Sequence, residues 1–274
     1  MSHSLRYEVN CSILFTELPL LERPDAARRA GFDAVEFWWP FAEAVPGDKE
    51  VDAFVAAIDN SGAELVGLNF AAGDMPGGDR GLVSWPVRST EFRDNVAVTL
   101  GIGERLGCRM FNALYGNRVD DASAARQDEV GAANLAVAAS AAARIGGTVL
   151  VEPVSGASRY PLRSAADAVA VIDRVRADSG VGNIRLLADL YHLACNGDDV
   201  DKVIADHVAR IGHVQIADDP GRGAPGSGEL PLGRWLTDLE AGGYRGWVGL
   251  EYRAAGAAAD SFDWIPRERR TARA

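Results

Sequence analysis

Residues 145–189 read IGGTVLVEPVSGASRYPLRSAADAVAVIDRVRADSGVGNIRLLAD, and this stretch decides the fold. It contains two short apolar strand candidates, Thr148–Glu152 and Ile184–Asp189. Between them, Ser164 and Asp167 have the spacing of a capping box at the start of an amphipathic helix. A strand, a helix and a second strand in this order are typical of the βα units that surround a parallel sheet.

The same alternation extends along the whole chain. Short β-branched or aromatic runs alternate with Ala-rich segments of helical period, and no linker or composition shift divides them. We therefore predict a single (β/α)8 TIM barrel domain over residues 1–274, with 254–274 as a C-terminal extension that forms a last helix and a frayed basic end. The strand candidates are Arg6–Cys11, Ala34–Phe37, Glu64–Phe70, Arg109–Asn112, Thr148–Glu152, Ile184–Asp189, Ile211–Ile216 and Trp247–Glu251.

Composition limits the class of protein. Of the 274 residues, 47% are hydrophobic and 24% are charged, which is not the composition of a disordered chain. The net charge of -11 repels a phosphate backbone and predicts that nucleic acid is not a partner. The cysteines show no CxxC spacing, and neither a secretion signal nor an apolar run of membrane-spanning length is present. We therefore expect reduced thiols, no membrane partner and a cytoplasmic location.

Polar side chains stand at the carboxyl ends of nearly all the strand candidates. A parallel strand that is buried on both faces is expected to be apolar throughout. In a barrel these ends converge on one mouth, where active sites lie, so the sequence predicts a ring of polar groups around a single cavity. The ring consists of Glu36, Asn69, Asn112, Glu152, Asp189, Gln215 and Glu251.

Four members of this ring have the character of a metal site. Three carboxylates and an amide oxygen form a hard, all-oxygen ligand set that suits Mg²⁺ or Mn²⁺, whereas zinc prefers His or Cys. Any one of these residues alone would equally serve to cap a helix or to pair with an arginine. Packing gives no reason to cluster like charges, so we predict one divalent metal. Its predicted ligands are Glu152, Asp189, Gln215 and Glu251.

Two residues in the mouth loops are candidates for binding substrate. His192 follows Asp189 by three positions, and Arg222 lies in the glycine-rich loop after Gln215. A guanidinium fork in that loop suits a carboxylate or hydroxyl of a substrate. The alternatives are a structural hydrogen bond for His192 and a surface ion pair with Asp218 or Asp219 for Arg222.

The remaining candidates have an equal or better structural explanation. His213 points to the same side as Gln215 but lies one layer deeper, which favours core packing. Arg118 is a second cation that would suit a carboxylate, although a surface role is favoured. The aromatic run 37–41 either walls the cavity or packs beneath a loop.

Several segments together resemble one known family. They are Val9–Phe15, Ala30–Glu36, Asn69–Asp74, Arg80–Gly81, Asp189–His192, Gly212–Asp218 and Gly243–Tyr252, and they extend over nearly the whole chain. On these residues the chain resembles the hydroxypyruvate isomerase family within the xylose isomerase-like barrels.

The resemblance implies an activity and roles for the site residues. It implies an isomerase that interconverts a small hydroxy-keto acid or sugar by proton transfer through an enediolate, with hydroxypyruvate to tartronate semialdehyde as the leading reaction. It implies that Glu152, Asp189, Gln215 and Glu251 bind one divalent ion, and that Glu152 and Glu251 flank the substrate as acid and base. The expected partner is a small hydroxy-keto acid or ketose, with a homo-oligomer left open.

Three other functions remain to be weighed. The run Arg222–Gly228 is more similar to the related ketose 3-epimerases, although Gln215 replaces the His expected there, so a ketose or keto-acid 3-epimerase is an alternative. A non-catalytic sugar-binding barrel is an alternative of another class. A DNA-repair nuclease on the same barrel needs a basic groove and several zinc-binding His, and four His with a net charge of -11 argue against it.

Overall fold

In the computed structural model, which describes residues 3–271, the strands pair in parallel in sequence order and the eighth pairs with the first. The predicted (β/α)8 TIM barrel is thereby confirmed. The strands are β1 (Arg6–Asn10), β2 (Ala34–Phe37), β3 (Glu64–Asn69), β4 (Met110–Asn112), β5 (Thr148–Val151), β6 (Ile184–Asp189), β7 (Ile211–Ile216) and β8 (Trp247–Leu250).

Five of the predicted strands are one residue longer than the observed ones. Cys11, Phe70 and Glu251 each lie just past a strand end, although their backbone N–H groups still donate to the neighbouring strand over 2.9, 2.9 and 3.1 Å. The ladder does not continue beyond them because the chain turns into the mouth loops. Glu152 and Glu251 therefore follow their strands directly instead of ending them.

The helices lie between the strands as the alternation predicts. Ser164 and Asp167 form the predicted capping box: Oγ of Ser164 accepts from the Asp167 N–H at 3.2 Å, and Oδ2 of Asp167 accepts from the Ser164 N–H at 2.9 Å. The α-helices are α1 (Arg23–Arg29), α2 (Asp48–Ser61), α3 (Ser89–Leu106), α4 (Ala124–Ala143), α5 (Ala165–Ser179), α6 (Leu190–Cys195), α7 (Val200–His207) and α8 (Leu232–Ala241).

The predicted last helix is wrong. After β8 the chain forms two short 3₁₀ turns, Ala258–Phe262 and Arg267–Arg269, and Pro266 between them interrupts any continuous helical bonding. Phe262 is fully buried, with its ring centroid 4.8 Å from that of Phe32. The extension is thus packed onto the barrel.

Arginines fix this extension to the barrel. Arg270 donates to the carbonyl oxygens of Ile265 at 3.1 Å and Ala30 at 2.9 Å, and Arg269 donates to that of His3 at 2.7 Å. His3 is itself buried, so the described ends of the chain are not frayed. Arg273, which we also assigned to the basic end, lies outside the described residues.

The three cysteines are free thiols. Cys11 and Cys108 are buried free thiols, and Cys195 is an exposed one. Within residues 3–271, no helix has both the length and the apolar character needed to span a bilayer.

Candidate active site

A cavity of about 1230 Å³ opens where the carboxyl ends of the strands meet, and we call it the mouth cavity. Asn69, Glu152 and Glu251 line it directly, together with His192 of α6 and Arg222 of the loop after β7. The other members of the predicted ring lie behind this first layer. The strand ends thus supply carboxylates to a single enclosed space, as the barrel geometry requires.

Glu152, Asp189 and His192 converge on one point of this cavity. All three are buried, and one ligand atom from each lies within 4.8 Å of the others. Oε2 of Glu152 accepts from Nδ2 of Asn112 at 2.6 Å. Oδ1 of Asp189 accepts from the backbone N–H groups of Tyr191 and His192, at 2.9 and 3.3 Å. Each carboxylate therefore has one oxygen held by the protein and a second oxygen beside His192.

Arg222 connects Glu251, at the end of β8, to this group. Its Nη2 atom lies 2.5 Å from Oε1 of Glu251 and 3.5 Å from Oδ2 of Asp189, and its Nε donates to the Glu251 carbonyl at 3.1 Å. The Arg222 side chain is only 14% exposed. Arg222 is therefore a mostly buried cation of the site, and the surface ion pair with Asp218 or Asp219 is not formed.

Asp218 instead organises the loop that carries Arg222. Its Oδ1 accepts from the N–H groups of Asp219 at 2.9 Å and Leu230 at 3.0 Å, and its Oδ2 accepts from that of Gly226 at 2.8 Å. Arg222 adopts a left-handed backbone conformation, with φ of 56°. A buried carboxylate that binds three backbone donors holds the loop in this shape.

His192 acts as a neutral hydrogen-bond donor. Its Nδ1 atom accepts from the backbone N–H of Ser155 at 3.1 Å, so the ring proton belongs on Nε2. Nε2 lies 3.6 Å from Oδ2 of Asp189 and 4.0 Å from Oε1 of Glu152. Burial lowers the pKa of His192 to about 4, and the charges of Arg222 and Arg80 act in the same direction.

The two glutamates of the mouth cavity have raised pKa values. Burial, followed by the charge of Asp189, raises the pKa of Glu152 to about 8. Burial also raises the pKa of Glu251 well above its ordinary value, although Arg222 opposes the shift. Groups that ionise near neutral pH are suited to proton transfer.

Gln215 lies between β6 and β8, with Asp189 as its register partner on β6. Its Nε2 atom donates to Oε1 of Glu36 at 2.6 Å. Its Oε1 atom is buried and has no hydrogen-bond partner among the described residues. An unpartnered buried oxygen on the residue that pairs in register with Asp189 fits a metal ligand, so the donor chemistry of the site agrees with the predicted metal.

A second buried group, Glu8, Glu36 and His213, fills the barrel lumen beneath the site, and we call it the lumen group. Nε2 of His213 lies 2.9 Å from Oε2 of Glu36 and 3.4 Å from Oε1 of Glu8. Burial lowers the pKa of His213, but the charge and hydrogen bond of Glu36 outweigh it and raise the pKa to about 10. Burial opposes ionisation of Glu36, yet His213 and Gln215 lower its pKa. A protonated His213 thus neutralises an ionised Glu36.

Comparison with known proteins agrees with this architecture. The family model described as a xylose isomerase-like TIM barrel matches residues 24–268. The chain belongs to this family. It is 52% identical to the "Putative hydroxypyruvate isomerase" of Streptomyces coelicolor over 98% of both chains. It is 33% identical to the 2-oxo-tetronate isomerase of Cupriavidus necator, over 95% of this chain and 97% of the other.

A solved structure has the same fold. The crystal structure of an AP endonuclease, family 2, from Brucella melitensis is 33% identical, covers 95% of this chain and 97% of its own, and superposes with a TM-score of 0.85. The predicted resemblance to the hydroxypyruvate isomerase family is confirmed, and the chain is an isomerase.

Within this family framework, the structure brings most of the predicted residues together. Glu152, Asp189, His192, Arg222 and Glu251 form one connected group, and the amide of Gln215 lies beside it. Arg118 does not join them, because it pairs with Asp128 at 2.8 Å and lines a separate cavity of about 220 Å³. The aromatic run divides: Phe37 packs against Phe54, whereas residues 38–41 line the mouth cavity.

Three residues around the site were given no role from the sequence. Glu8 lies in the lumen group, Ser155 orients His192, and Arg80 lines the mouth cavity. Glu8 carried a usable signal, since it is a carboxylate at the centre of β1, between the apolar Tyr7 and Val9 and two positions before Asn10. Ser155 and Arg80 lie in loops without periodicity, so only the folded chain reveals their neighbours.

Proposed function

We propose that this isomerase interconverts hydroxypyruvate and tartronate semialdehyde, or a closely similar pair of small hydroxy-keto acids. The main support for this proposal is that Glu152 and Glu251 face one cavity, have raised pKa values, and both lie close enough to Asp189 to be affected by its charge. Mg²⁺ or Mn²⁺ would be held by Glu152, Asp189, Gln215 and Glu251. When bound, the metal supplies positive charge that stabilises the enediolate of the substrate.

The chain's own residues supply the proton transfers. One glutamate removes a proton from the hydroxyl-bearing C3 of hydroxypyruvate, and a proton is returned to C2, while the hydroxyl proton moves from the C3 oxygen to the C2 oxygen. Either Glu152 or Glu251 is suited to be the first base. The Nε2–H of His192 and Nη1 of Arg222, the guanidinium nitrogen that makes no hydrogen bond to Glu251, bind substrate oxygens and hold the reacting carbons between the two glutamates.

The arginines of the mouth cavity favour an acidic substrate over a neutral sugar. Arg88 is paired with Glu91 and Asp79, and Arg222 with Glu251. Arg80 donates only through Nη1, to the carbonyl oxygens of Met75 and Asp79, and has no carboxylate partner among residues 3–271. Its charge nevertheless contributes to the low pKa of His192, so it acts on the site. Arg80 is therefore available for a substrate carboxylate.

A ketose or keto-acid 3-epimerase remains the second candidate because of the size of the mouth cavity. At about 1230 Å³ it has room for a substrate much larger than a three-carbon acid. An epimerase would use the same metal and glutamates but return the proton to the opposite face of one carbon. The nuclease alternative lacks support, because each metal-competent cluster among the described residues contains a single His.

One experiment separates these functions. The protein is incubated in D₂O with Mg²⁺ or Mn²⁺ and a panel of hydroxypyruvate, a four-carbon oxo acid and ketoses, and deuterium incorporation is read by NMR. We expect deuterium at the carbon that accepts the proton in tartronate semialdehyde. Deuterium at C3 of a ketose with inverted configuration would favour the epimerase. Binding of a sugar without exchange in any substrate would identify a non-catalytic barrel.

A further inference from the structure

Glu36 lies in the lumen directly behind Gln215. Its Oε1 atom accepts hydrogen bonds from Nε2 of Gln215 at 2.6 Å and from Nδ2 of Asn10 at 2.9 Å. Its Oε2 atom lies 2.9 Å from Nε2 of His213. The amide of Asn10 has a fixed orientation, because its Oδ1 atom accepts from the backbone N–H of Ser12 at 3.0 Å, so Oε1 of Glu36 already serves as an acceptor.

This arrangement fixes which end of the Gln215 amide faces the lumen. If the amide turned by half a rotation, its oxygen would lie against the Oε1 atom of Glu36, and two acceptors would face each other. The nitrogen must therefore point into the lumen. The oxygen points away from Glu36, is buried, and has no partner among the described residues.

Two glycines leave the space that this contact needs. A Cβ atom on Gly249 of β8 would lie 2.8 Å from Oε1 of Glu36 and 2.9 Å from Cγ of Gln215. A Cβ atom on Gly67 of β3 would lie 2.9 Å from Oε2 of Glu36. Any larger residue at either position would clash with Glu36 in its observed place. The two neighbouring strands are therefore shaped around the glutamate.

We propose that Glu36 is a positioning residue that holds the amide of Gln215 so that its oxygen is presented to the divalent metal. Glu36 does not line the mouth cavity and does not contact substrate. The inference rests on the proposed metal site and extends it to a residue of the lumen that determines how tightly the metal binds. Partners that orient metal ligands in this way contribute to metal affinity as well as to activity.

The test measures Mn²⁺ affinity by electron paramagnetic resonance, without turnover. Glu36→Gln allows either end of the Gln215 amide to face the lumen, so we expect the Kd to rise roughly 10–100-fold. Glu8→Gln is the control for a general change in the lumen: Glu8 lies 3.4 Å from His213 and also interacts with Glu36, but it has no hydrogen bond to Gln215. We expect Mn²⁺ affinity close to wild type in this control.

A charge swap separates orientation from general damage to the lumen. The double variant E36Q/Q215E keeps one donor and one acceptor across the contact and places a carboxylate toward the metal. We expect it to bind Mn²⁺ more tightly than E36Q alone. Equal weakening in Glu36→Gln and Glu8→Gln, or no recovery in the swap, would overturn the proposal.

A metal-free measurement distinguishes this inference from the proposed metal site. In the ¹⁵N-labelled apo protein, the side-chain NH₂ of Gln215, assigned by its loss in Gln215→Glu, should show slow hydrogen exchange that Glu36→Gln removes. Slow exchange in a wild-type protein that binds no Mn²⁺ would contradict the metal site and leave the contact intact. Wild-type Mn²⁺ affinity in folded Glu36→Gln would contradict the positioning role alone.

Discussion

Arg222 binds Glu251 twice, through Nη2 to the carboxylate at 2.5 Å and through Nε to the main-chain carbonyl at 3.1 Å. Because the pair is buried, the guanidinium supplies positive charge to a cluster of carboxylates that would otherwise repel one another. The contact also fixes the glycine-rich loop to the end of β8. Arg222 thus links the stability of the site to its chemistry.

Replacing this arginine should therefore affect stability as well as turnover. From the sequence, a surface arginine would change the melting temperature by only a degree or two. Because the side chain is 14% exposed, we expect Arg222→Ala to lower the free energy of unfolding by about 1–3 kcal/mol. Urea unfolding with EDTA and with Mn²⁺ checks this, since the metal should restore part of the loss. A loss that Mn²⁺ does not change would assign it to loop packing.

The proton-transfer role of Glu152 and Glu251 should be separable from their role as metal ligands. Glu152→Gln and Glu251→Gln keep an oxygen that coordinates metal but cannot take up a proton at neutral pH. We expect modestly weaker Mn²⁺ binding and a rate that falls by ~10²–10⁴-fold. One variant should still exchange substrate deuterium without forming product, which identifies the remaining glutamate as the first base. Near wild-type turnover with metal bound would contradict both roles.

Metal affinity should increase with pH. Burial raises the pKa of Glu152 to about 8 and that of Glu251 well above its ordinary value, so protons compete with the metal for these carboxylates. Metal binds the ionised form, and raising the pH removes the competing proton. Calorimetric titrations from about pH 6 to 8 should show a Kd that falls about tenfold per unit for each proton released. In Glu152→Gln the slope should be smaller by about one proton, whereas an unchanged slope would exclude Glu152 as its source.

His192 should act on the substrate without stabilising the fold. Its only described protein hydrogen bonds through the ring involve Ser155. We expect His192→Phe to raise KM or lower kcat by about tenfold or more, the value of a hydrogen bond to a charged oxygen, with little change in Tm. Ser155→Ala is the matched control, since its backbone N–H still sets the tautomer and the effect should be smaller. A large fall in Tm with unchanged kinetics would favour the structural alternative.

Arg80 should distinguish acids from sugars. We expect Arg80→Met to raise KM for hydroxypyruvate roughly 10–100-fold, the cost of losing a charged hydrogen bond, while any activity on a ketose is unaffected. Arg118→Met serves as the control, because Arg118 pairs with Asp128 and does not line the mouth cavity. Equal losses on acid and ketose would show that Arg80 supports the loop instead of a carboxylate.

The barrel was predictable because its signal is periodic and repeated. In residues 145–189, the strand ends, the capping box and the following strand are all local patterns. Along the whole chain, three predicted strands have the observed bounds: Ala34–Phe37, Ile184–Asp189 and Ile211–Ile216. The last helix failed because an Ala-rich composition favours a helix, whereas Pro266 and packing of Phe262 decide otherwise. Tertiary contacts overrode the local propensity.

The candidate site was predictable only in part. Residues at the ends of strands have positions that the barrel topology determines, so Glu152, Asp189 and Glu251 could be placed at one mouth from the sequence. The partners of Arg222 could not, because they depend on a loop conformation held by Asp218. The contact between Glu36 and Gln215 crosses the lumen between strands that are not neighbours, and no sequence period records it.

The pairing of β1 with β8, which closes the barrel, has a consequence for synthesis of the chain. Arg6 pairs with Trp247, so β1 emerges from the ribosome long before its partner has been made. At 5–20 residues per second the interval is roughly 12–48 s. During that time the edge of β1 that faces β8 has no partner, and it is a place where nascent chains aggregate or recruit chaperones. A fluorescent reporter of solubility on chains stopped before residue 247 should therefore show much more aggregation than on chains that extend past β8.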